Sequence, residues 1–223
     1  MPSVRARHSA PILNMSGLFN VLARLRQSNK IPNCFIDVGA HFGESYDEIY
    51  QIYPNSKIIC FEANPACEQS LRSKNLKYNI CLLGDTFKEK VPFFINPDDI
   101  TSTGCSLYQE NTTHFKNAYT IDIPMYRLDE KININGTGKV FLKIDVQGAE
   151  LDVLNGSTKL FPLLEWVYLE VSFVEYNKGS PLVTDVLKYM FDKNYRLLDI
   201  GESLYNDSLL IQSNFLFEKQ NKA

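Results

Sequence analysis

Short apolar segments alternate with helix-like segments in the first half of the sequence, and this alternation constrains the fold more than any other feature. Residues 34–38, 57–61 and 78–83 are apolar runs typical of buried strands. Between them, residues 45–53 and 65–74 have the spacing of amphipathic helices. Strands joined by short helical crossovers form a parallel sheet with helices on both faces. The sequence therefore predicts an α/β fold.

The second half of the sequence is less regular but adds further strands to the same fold. Strands are predicted at 91–96, 119–125, 140–146, 166–173, 195–200 and 209–218, and helices at 17–27, 149–154 and 182–193. Only eight residues separate the last two strands, too few for a helical crossover, so we expect them to pair antiparallel. We expect one domain over residues 16–223, preceded by a flexible leader at 1–15.

Composition argues against several classes of protein. The chain has 23 Lys and Arg against 26 Asp and Glu, so it lacks the basic excess typical of nucleic-acid binders. No apolar run approaches the roughly 18 residues of a transmembrane helix, and we find no signal peptide near the start. The five cysteines form no CxxC pair, which favours reduced thiols over a disulfide framework or a zinc site. We expect a cytoplasmic protein with no nucleic-acid partner.

The segment DVGAHFG (residues 37–43) follows the first strand directly and points to a nucleoside-like ligand. Glycines at a strand-to-helix turn let a ligand approach the backbone. Glu62, at the end of the second strand, can accept hydrogen bonds from both hydroxyls of a ribose. The segment differs from GxGxxG, because Asp37 and Phe42 replace two of its glycines. A carboxylate disfavours pyrophosphate, so a cationic adenosine ligand such as S-adenosylmethionine (SAM) fits better.

A second polar segment, KIDVQGAE (residues 143–150), lies at the end of a strongly apolar strand. Lys143 and Asp145 are two residues apart and therefore face the same side of that strand. Charges in an apolar strand are costly unless paired or used, so a structural ion pair and a catalytic role are both open. Glu170 interrupts another apolar strand. If the two strands are neighbours, Asp145 and Glu170 could share a proton, hold a divalent cation or orient a hydroxyl.

Five sequence blocks taken together resemble the FkbM family of SAM-dependent methyltransferases. In order they are DVGAHFGE, CFEANP, LLGD, KIDVQGAELDVLNG and YLEVSFVEY, and the resemblance spans residues 33–218. It implies a class I SAM-dependent methyltransferase (Rossmann-like) fold, with a seven-stranded mostly parallel sheet, one antiparallel strand and helices on both faces. It also implies O-methyl transfer, commonly to a sugar hydroxyl. His41 and Gln147 depart from the family, which usually has Asn and Glu at these positions.

The resemblance assigns roles to individual residues. The implied cofactor residues are Asp37, Gly39, Ala40, His41, Gly43 and Ser45 on the methionine side, Glu62 and Asn64 at the ribose, Gly84 and Asp85 at the adenine, and Asp145 at the transferred methyl group. By analogy with metal-using O-methyltransferases of the same fold, Asp145 and Glu170 are also candidate ligands of Mg²⁺ or a similar ion.

Transfer to a sugar hydroxyl requires a group that removes or polarises its proton. Candidates are Asp145, Glu170, Lys143 and His114, and also His41, although a role in shaping the cofactor loop is favoured for His41. The polar loop 97–117 is too long for a simple connection, and its hydroxyls and amides suit a carbohydrate or glycoconjugate acceptor. The alternative for this loop is that it is simply exposed and binds nothing. The alternative acceptor is a small natural product or a lipid-linked molecule. The alternative for the whole chain is a non-catalytic binding module of the same fold.

Overall fold

The computed structural model describes residues 17–134 and 138–220, so the leader predicted at 1–15 lies outside the described residues. The strands are β1 (Cys34–Val38), β2 (Lys57–Glu62), β3 (Tyr78–Ile80), β4 (Leu82–Leu83), β5 (Lys88–Ile95), β6 (Tyr119–Tyr126), β7 (Val140–Ile144), β8 (Leu164–Ser172), β9 (Tyr195–Asn206) and β10 (Leu209–Lys219). The helices are α1 (Gly17–Gln27), α2 (Glu44–Ile52), α3 (Glu68–Ser73), α4 (Leu128–Lys131), α5 (Glu150–Asn155) and α6 (Val183–Asp192).

Seven of these strands form one sheet in the order β3-β2-β1-β7-β8-β10-β9. Neighbouring strands from β3 to β8 are parallel, whereas β10 runs antiparallel to both β8 and β9. This confirms the predicted mostly parallel sheet with one antiparallel strand. After β1, the chain adds β2 and β3 on one side of β1, and it later adds β7 on the other side of β1. Open α/β sheets bind ligands at such a switch point, outside the carboxyl ends of the strands.

The two faces of the sheet bury separate apolar layers. All five residues of β1 and all five of β7 are buried, and successive side chains point to opposite faces. Ile36 and Leu142 belong to one layer, which helices α5 and α6 cover with Val153 and Val186. The layer on the other face contains Phe35, Phe141 and Trp166 together with α1 and α2. The predicted helices on both faces are therefore present.

One strand prediction is wrong, because residues 78–83 form two strands in two different sheets. β3 belongs to the main sheet, whereas β4 pairs with β6 in a small sheet of order β4-β6-β5. The backbone changes partner between them: the Cys81 N–H donates to the Glu62 carbonyl, and the Gly84 N–H donates to the Tyr126 carbonyl. A continuous apolar run carries no sign of that change.

Two features expected from composition can also be compared with the structure. All five cysteines are free thiols, as predicted. In the described ranges, 17–134 and 138–220, we find no helix with the length and apolar character needed to cross a membrane.

Candidate active site

A crevice opens at the carboxyl ends of β1, β2 and β7. Its empty space, counting the part open to solvent, is about 690 Å³. The apolar part of the wall comprises Val38, Phe61, Leu82, Leu83, Phe93, Leu107, Val146 and Ala149. Glu62 and Asp145 place carboxylates on the wall, and no described residue of the lining is a lysine or an arginine. The crevice therefore favours an uncharged or cationic ligand over one with a pyrophosphate.

Glu62 lies at the end of β2, on the wall of the crevice. Its Oε2 accepts a hydrogen bond from the backbone N–H of His41, and its Oε1 accepts one from that of Asn64, both at 2.7 Å. Burial raises the pKa of Glu62, and these two hydrogen bonds oppose that rise. Each carboxylate oxygen keeps a second lone pair, so Glu62 can also accept hydrogen bonds from the hydroxyls of a ligand.

Gly39 allows the loops after β1 and β7 to approach closely at the floor of the crevice. Its φ is +79°, and a Cβ atom there would lie 1.8 Å from the carbonyl oxygen of Asp145. Its N–H donates to the carbonyl of Phe61 at 2.9 Å. A side chain at position 39 would therefore separate the two loops that carry the crevice.

Asp37 and Lys143 form a buried ion pair just below the crevice. They are direct neighbours in the register of β1 and β7, and Lys143 Nζ lies 3.1 Å from Asp37 Oδ1 and 3.6 Å from Asp145 Oδ2. Burial raises the pKa of Asp37. Burial alone would lower the pKa of Lys143, but the two carboxylates outweigh this and raise it. Of the two roles left open for Lys143, the ion pair is the one present.

Asp145 and Glu170 are brought together at the same edge of the sheet, but an amide lies between them. Gln147 Nε2 donates to Asp145 Oδ1 at 3.1 Å and to Glu170 Oε2 at 3.0 Å, and Gln212 Nε2 donates to Glu170 Oε2 at 2.7 Å. The Asp145 side chain is 39% exposed and is therefore available to a substrate. Burial, and then the charges of Asp145 and Glu150, raise the pKa of Glu170 well above its ordinary value.

The expectation of a Mg²⁺ site at these carboxylates is not supported. Among the residues that the structure describes, no group of three or more His, Cys, Asp and Glu side chains is placed to hold a metal ion. The physical reason is the position of Gln147, whose amide nitrogen donates to both carboxylates where a cation would bridge them. Without a third ligand, the pair is satisfied by hydrogen bonds.

Glu150 is a buried carboxyl that the sequence reasoning did not single out as a site residue. Its Oε1 accepts hydrogen bonds from the backbone N–H groups of Val146 and Gly148, at 3.2 and 3.1 Å. It thereby fixes the turn that carries Gln147, which has a left-handed φ of 55°. Burial raises the pKa of Glu150 to about 7. An acidic residue in the first turn of a helix after a glycine was the available signal.

We expect Glu150→Gln to weaken the dependence of stability on pH. The pKa of Glu150 rises to about 7 from 4.5, so the folded chain keeps this proton to a higher pH than the unfolded chain. Its contribution to stability is fully present below pH 4.5 and is lost as the pH rises through about 7. Between about pH 5 and pH 8, the free energy of unfolding measured in urea should fall by about 3 kcal/mol less in the variant.

Asp207→Asn provides a matched control, because Asp207 lies exposed in the turn between β9 and β10. This control should follow the natural chain at every pH. If Glu150→Gln does the same, the Glu150 carboxyl does not carry the raised pKa.

Three predicted cofactor residues near the start of α2 do not line the crevice. Ala40 is buried in the apolar layer that α1 and α2 cover. Gly43 precedes α2 with a φ of +83°, and a Cβ there would lie 2.9 Å from the side chain of Leu76. Ser45 is half-buried within α2. In this structure they shape the turn after β1 and have no direct contact with the crevice.

Gly84, Asp85 and His114 also lie outside the crevice lining. A Cβ at Gly84 would come within 2.3 Å of the sulfur of Met125, so this glycine serves close packing of the small sheet. Asp85 is half-buried, and its Oδ1 lies 3.8 Å from Lys88 Nζ. His114 is exposed on a short 3₁₀ turn. The structure does not bring His114 to Asp145 and Glu170.

His41 and Asn64 line the crevice, but their side chains hydrogen-bond to the polar loop 97–117. His41 Nε2 donates to the carbonyl of Thr101 and Asn64 Nδ2 donates to that of Ile100, both at 2.7 Å. Ser102, Thr103 and Cys105 of this loop line the crevice. Sequence reasoning missed these contacts because nothing in the pattern pairs residues so far apart along the chain.

Comparisons with known proteins bear on the family and the fold. The family model for the methyltransferase FkbM domain matches residues 37–197. The solved structure of methyltransferase FkbM from Methylobacillus flagellatus KT gives a TM-score of 0.54 at 15% identity, over 82% of this chain and 43% of that one. This chain thus spans less than half the length of that relative. No curated protein matches the sequence.

A second solved structure is matched over a larger share of its own length. The 1,6-didemethyltoxoflavin-N1-methyltransferase of Burkholderia thailandensis, solved with S-adenosylhomocysteine, gives a TM-score of 0.50 at 8% identity, over 93% of this chain and 80% of that one. Together these likenesses show the α/β, Rossmann-like fold of class I SAM-dependent methyltransferases.

Proposed function

The chain belongs to the FkbM methyltransferase family, and on that premise we propose that it transfers a methyl group from SAM to a hydroxyl of a sugar in a glycan or glycoconjugate. The observation that carries the proposal is the crevice at the switch point of the sheet. It combines an apolar wall with the carboxylates of Glu62 and Asp145, and its described lining has no lysine or arginine. This chemistry suits a cationic adenosine compound without phosphate groups.

SAM, when bound, supplies a methyl group on a positively charged sulfur. Glu62 would accept hydrogen bonds from the ribose hydroxyls through its remaining lone pairs. The apolar side chains of Leu82, Leu83 and Phe93 would pack against the adenine. Gly39 would leave the backbone open to the methionine part.

Asp145 would be the general base for the acceptor hydroxyl. It is the exposed member of the carboxylate pair and lines the crevice, so it can reach a substrate beside the cofactor. Gln147 holds one of its oxygens, which fixes the carboxylate in place. Ser102 and Thr103 add hydroxyl groups to the same crevice, and these suit a polyhydroxylated acceptor. General base catalysis by one positioned group contributes about 10²- to 10⁴-fold to rate.

Two measurements test the proposal in order. Calorimetry with SAM and S-adenosylhomocysteine tests for the cofactor, and absence of binding would overturn the proposal. Transfer of labelled methyl from SAM to a panel of glycans then tests the acceptor. If label appears only on lipid-linked or small natural-product acceptors, methyl transfer stands and the sugar assignment is wrong.

We expect Glu62→Ala to weaken the binding of S-adenosylhomocysteine by about 10²- to 10⁴-fold, measured by calorimetry. The variant removes a charged acceptor for two ribose hydroxyls, and such hydrogen bonds contribute about 1.5–3 kcal/mol each. Glu89→Ala, which removes an exposed carboxylate on β5, is the matched control and should bind normally. Equal affinity in Glu62→Ala and the control would show that Glu62 does not contact the cofactor.

A further inference from the structure

Residues 97–105, here called the strap, contribute part of the wall of the crevice. Three strap residues, Ser102, Thr103 and Cys105, line the crevice. The strap holds its own shape: the N–H and the hydroxyl of Thr101 both donate to Asp99 Oδ1, at 3.0 and 2.7 Å. Residues 97–100 are all exposed, and Ile100 exposes 52% of its surface. The first four residues of the strap therefore have little packing to hold them down, whereas Gly104, near its other end, is buried.

The residues that flank the strap on either side are buried. Asn96, just before it, is 6% exposed, and Ser106, just after it, is 1% exposed. The hydroxyl of Ser106 lies within hydrogen-bond distance of the carbonyl oxygens of Val146 and Gln147, at 2.8 and 2.9 Å. These contacts anchor the strap to the turn that follows β7. Residues 97–100, exposed between the buried Asn96 and the half-buried Thr101 and Ser102, are the part of the segment that can lift while its flanks stay in place.

Two hydrogen bonds, here called the ties, hold the middle of the strap against the rest of the crevice. They are the contacts of His41 with the carbonyl of Thr101 and of Asn64 with that of Ile100. The other polar atom of each side chain is also engaged within the protein. His41 Nδ1 lies 3.0 Å from Glu44, and Asn64 Oδ1 accepts from the N–H of Ala66 at 3.0 Å.

We propose that the strap is a gate over the cofactor crevice, and that His41 and Asn64 are positioning residues that keep it closed. This inference rests on the proposed function, because it takes SAM or S-adenosylhomocysteine as the ligand behind the gate. It changes the role expected for both residues. Their polar groups bind the strap and do not bind the cofactor. The closed strap then retains the cofactor in the crevice.

The two roles differ in their kinetic consequences. A tie that closes the crevice slows binding and release alike, so its removal raises kon and koff by the same factor and leaves Kd unchanged. A side chain that contacts the cofactor directly slows release only. Its removal would raise koff and Kd together and leave kon unchanged.

The variants are chosen to break the ties and preserve local structure. His41→Asn shortens the side chain at a left-handed position with a φ of 48°, which asparagine tolerates well. Asn64→Ser keeps an oxygen that can cap the short 3₁₀ helix Pro65–Cys67 but cannot reach Ile100. His41→Gln restores a long side chain with an N–H donor and serves as the rescue variant. His114→Asn, in the same polar loop but outside the crevice lining, is the matched control.

Surface plasmon resonance with S-adenosylhomocysteine over the immobilised full chain measures both rates. We expect each single variant to raise kon and koff about 2- to 10-fold, the net worth of one hydrogen bond, and the double variant to show the product. Kd should stay within about twofold, and His41→Gln should return both rates toward natural values. Unchanged rates, or a rise in koff alone with a matching rise in Kd, would overturn the gate.

Amide hydrogen exchange gives a second readout that needs no ligand. Peptides covering residues 97–105 should exchange faster in the double variant than in the natural chain or in His114→Asn. Unaltered exchange there would overturn the gate even if S-adenosylhomocysteine failed to bind the natural chain. Failure of the natural chain to bind, with faster exchange in the double variant, would instead count against the proposed function alone.

Discussion

Asp145→Asn is expected to lower kcat by about 10²- to 10⁴-fold, the usual contribution of a positioned general base. The affinity for S-adenosylhomocysteine should change by less than about threefold. Asparagine has the same shape, and its oxygen can still accept the hydrogen bond that Gln147 donates to position 145. The substitution thus removes the basic oxygen and keeps the crevice. Single-turnover methyl transfer and calorimetry on the same preparation measure the two effects separately.

Glu170→Gln is the informative comparison for that variant. The pKa of Glu170 is raised well above its ordinary value by burial and by the neighbouring charges of Asp145 and Glu150, and this favours the neutral carboxyl. A glutamine is also neutral, and its oxygen can accept the hydrogen bonds from Gln147 and Gln212. We therefore expect a loss of less than about tenfold in kcat for this variant.

Two outcomes would contradict these roles. If Glu170→Gln lost more activity than Asp145→Asn, the base would be Glu170. If Asp145→Asn lost affinity for S-adenosylhomocysteine in parallel with kcat, Asp145 would be a binding residue. Asp192→Asn, at an exposed position on α6, controls for general effects of removing a carboxylate and should behave as the natural chain does.

The order of elements could be read from the sequence because it depends on local pattern and on connection length. Alternating apolar and helical segments predicted the parallel sheet, and the short connection after residue 200 predicted the antiparallel pairing of the last two strands. Asp37, Glu62 and Asp145 could be placed at the carboxyl edge by the same reasoning. Each lies at the last residue of a buried strand or directly beside it, and parallel strands end on the same side of a sheet.

The partners of the polar side chains could not be predicted in this way. His41 and Asn64 bond to a loop about 40 to 60 residues further along the chain, and their contacts depend on where that loop crosses the sheet. Gln147 joins Asp145 to Glu170 through an amide whose direction is set by a left-handed backbone at position 147. Whether such a hydrogen bond forms depends on the positions of the two groups to within a few tenths of an ångström. The spacing of residues along the sequence does not specify those positions.

The ion pair between Lys143 and Asp37 should have the largest effect on stability. Lys143→Met leaves the Asp37 carboxylate fully buried without its cation, and breaking a buried pair in this way costs about 3–5 kcal/mol. Burial already raises the pKa of Asp37, and removal of Lys143 would raise it further. A carboxyl whose pKa is raised in the folded chain contributes less to the free energy of unfolding as the pH rises. The stability lost in Lys143→Met should therefore be larger at about pH 8 than at about pH 6. Urea denaturation at the two pH values measures both effects.

The double variant Asp37→Asn with Lys143→Met distinguishes a structural pair from a catalytic lysine. Asparagine removes the unpaired charge, so the free energy of unfolding should recover most of what Lys143→Met loses. The recovery is expected because the penalty arises from the isolated Asp37 carboxylate and not from the missing lysine itself. If Lys143→Met were as stable as the natural chain but inactive in methyl transfer, Lys143 would act on the substrate. In that case the 3.1 Å contact with Asp37 would contribute little to the fold.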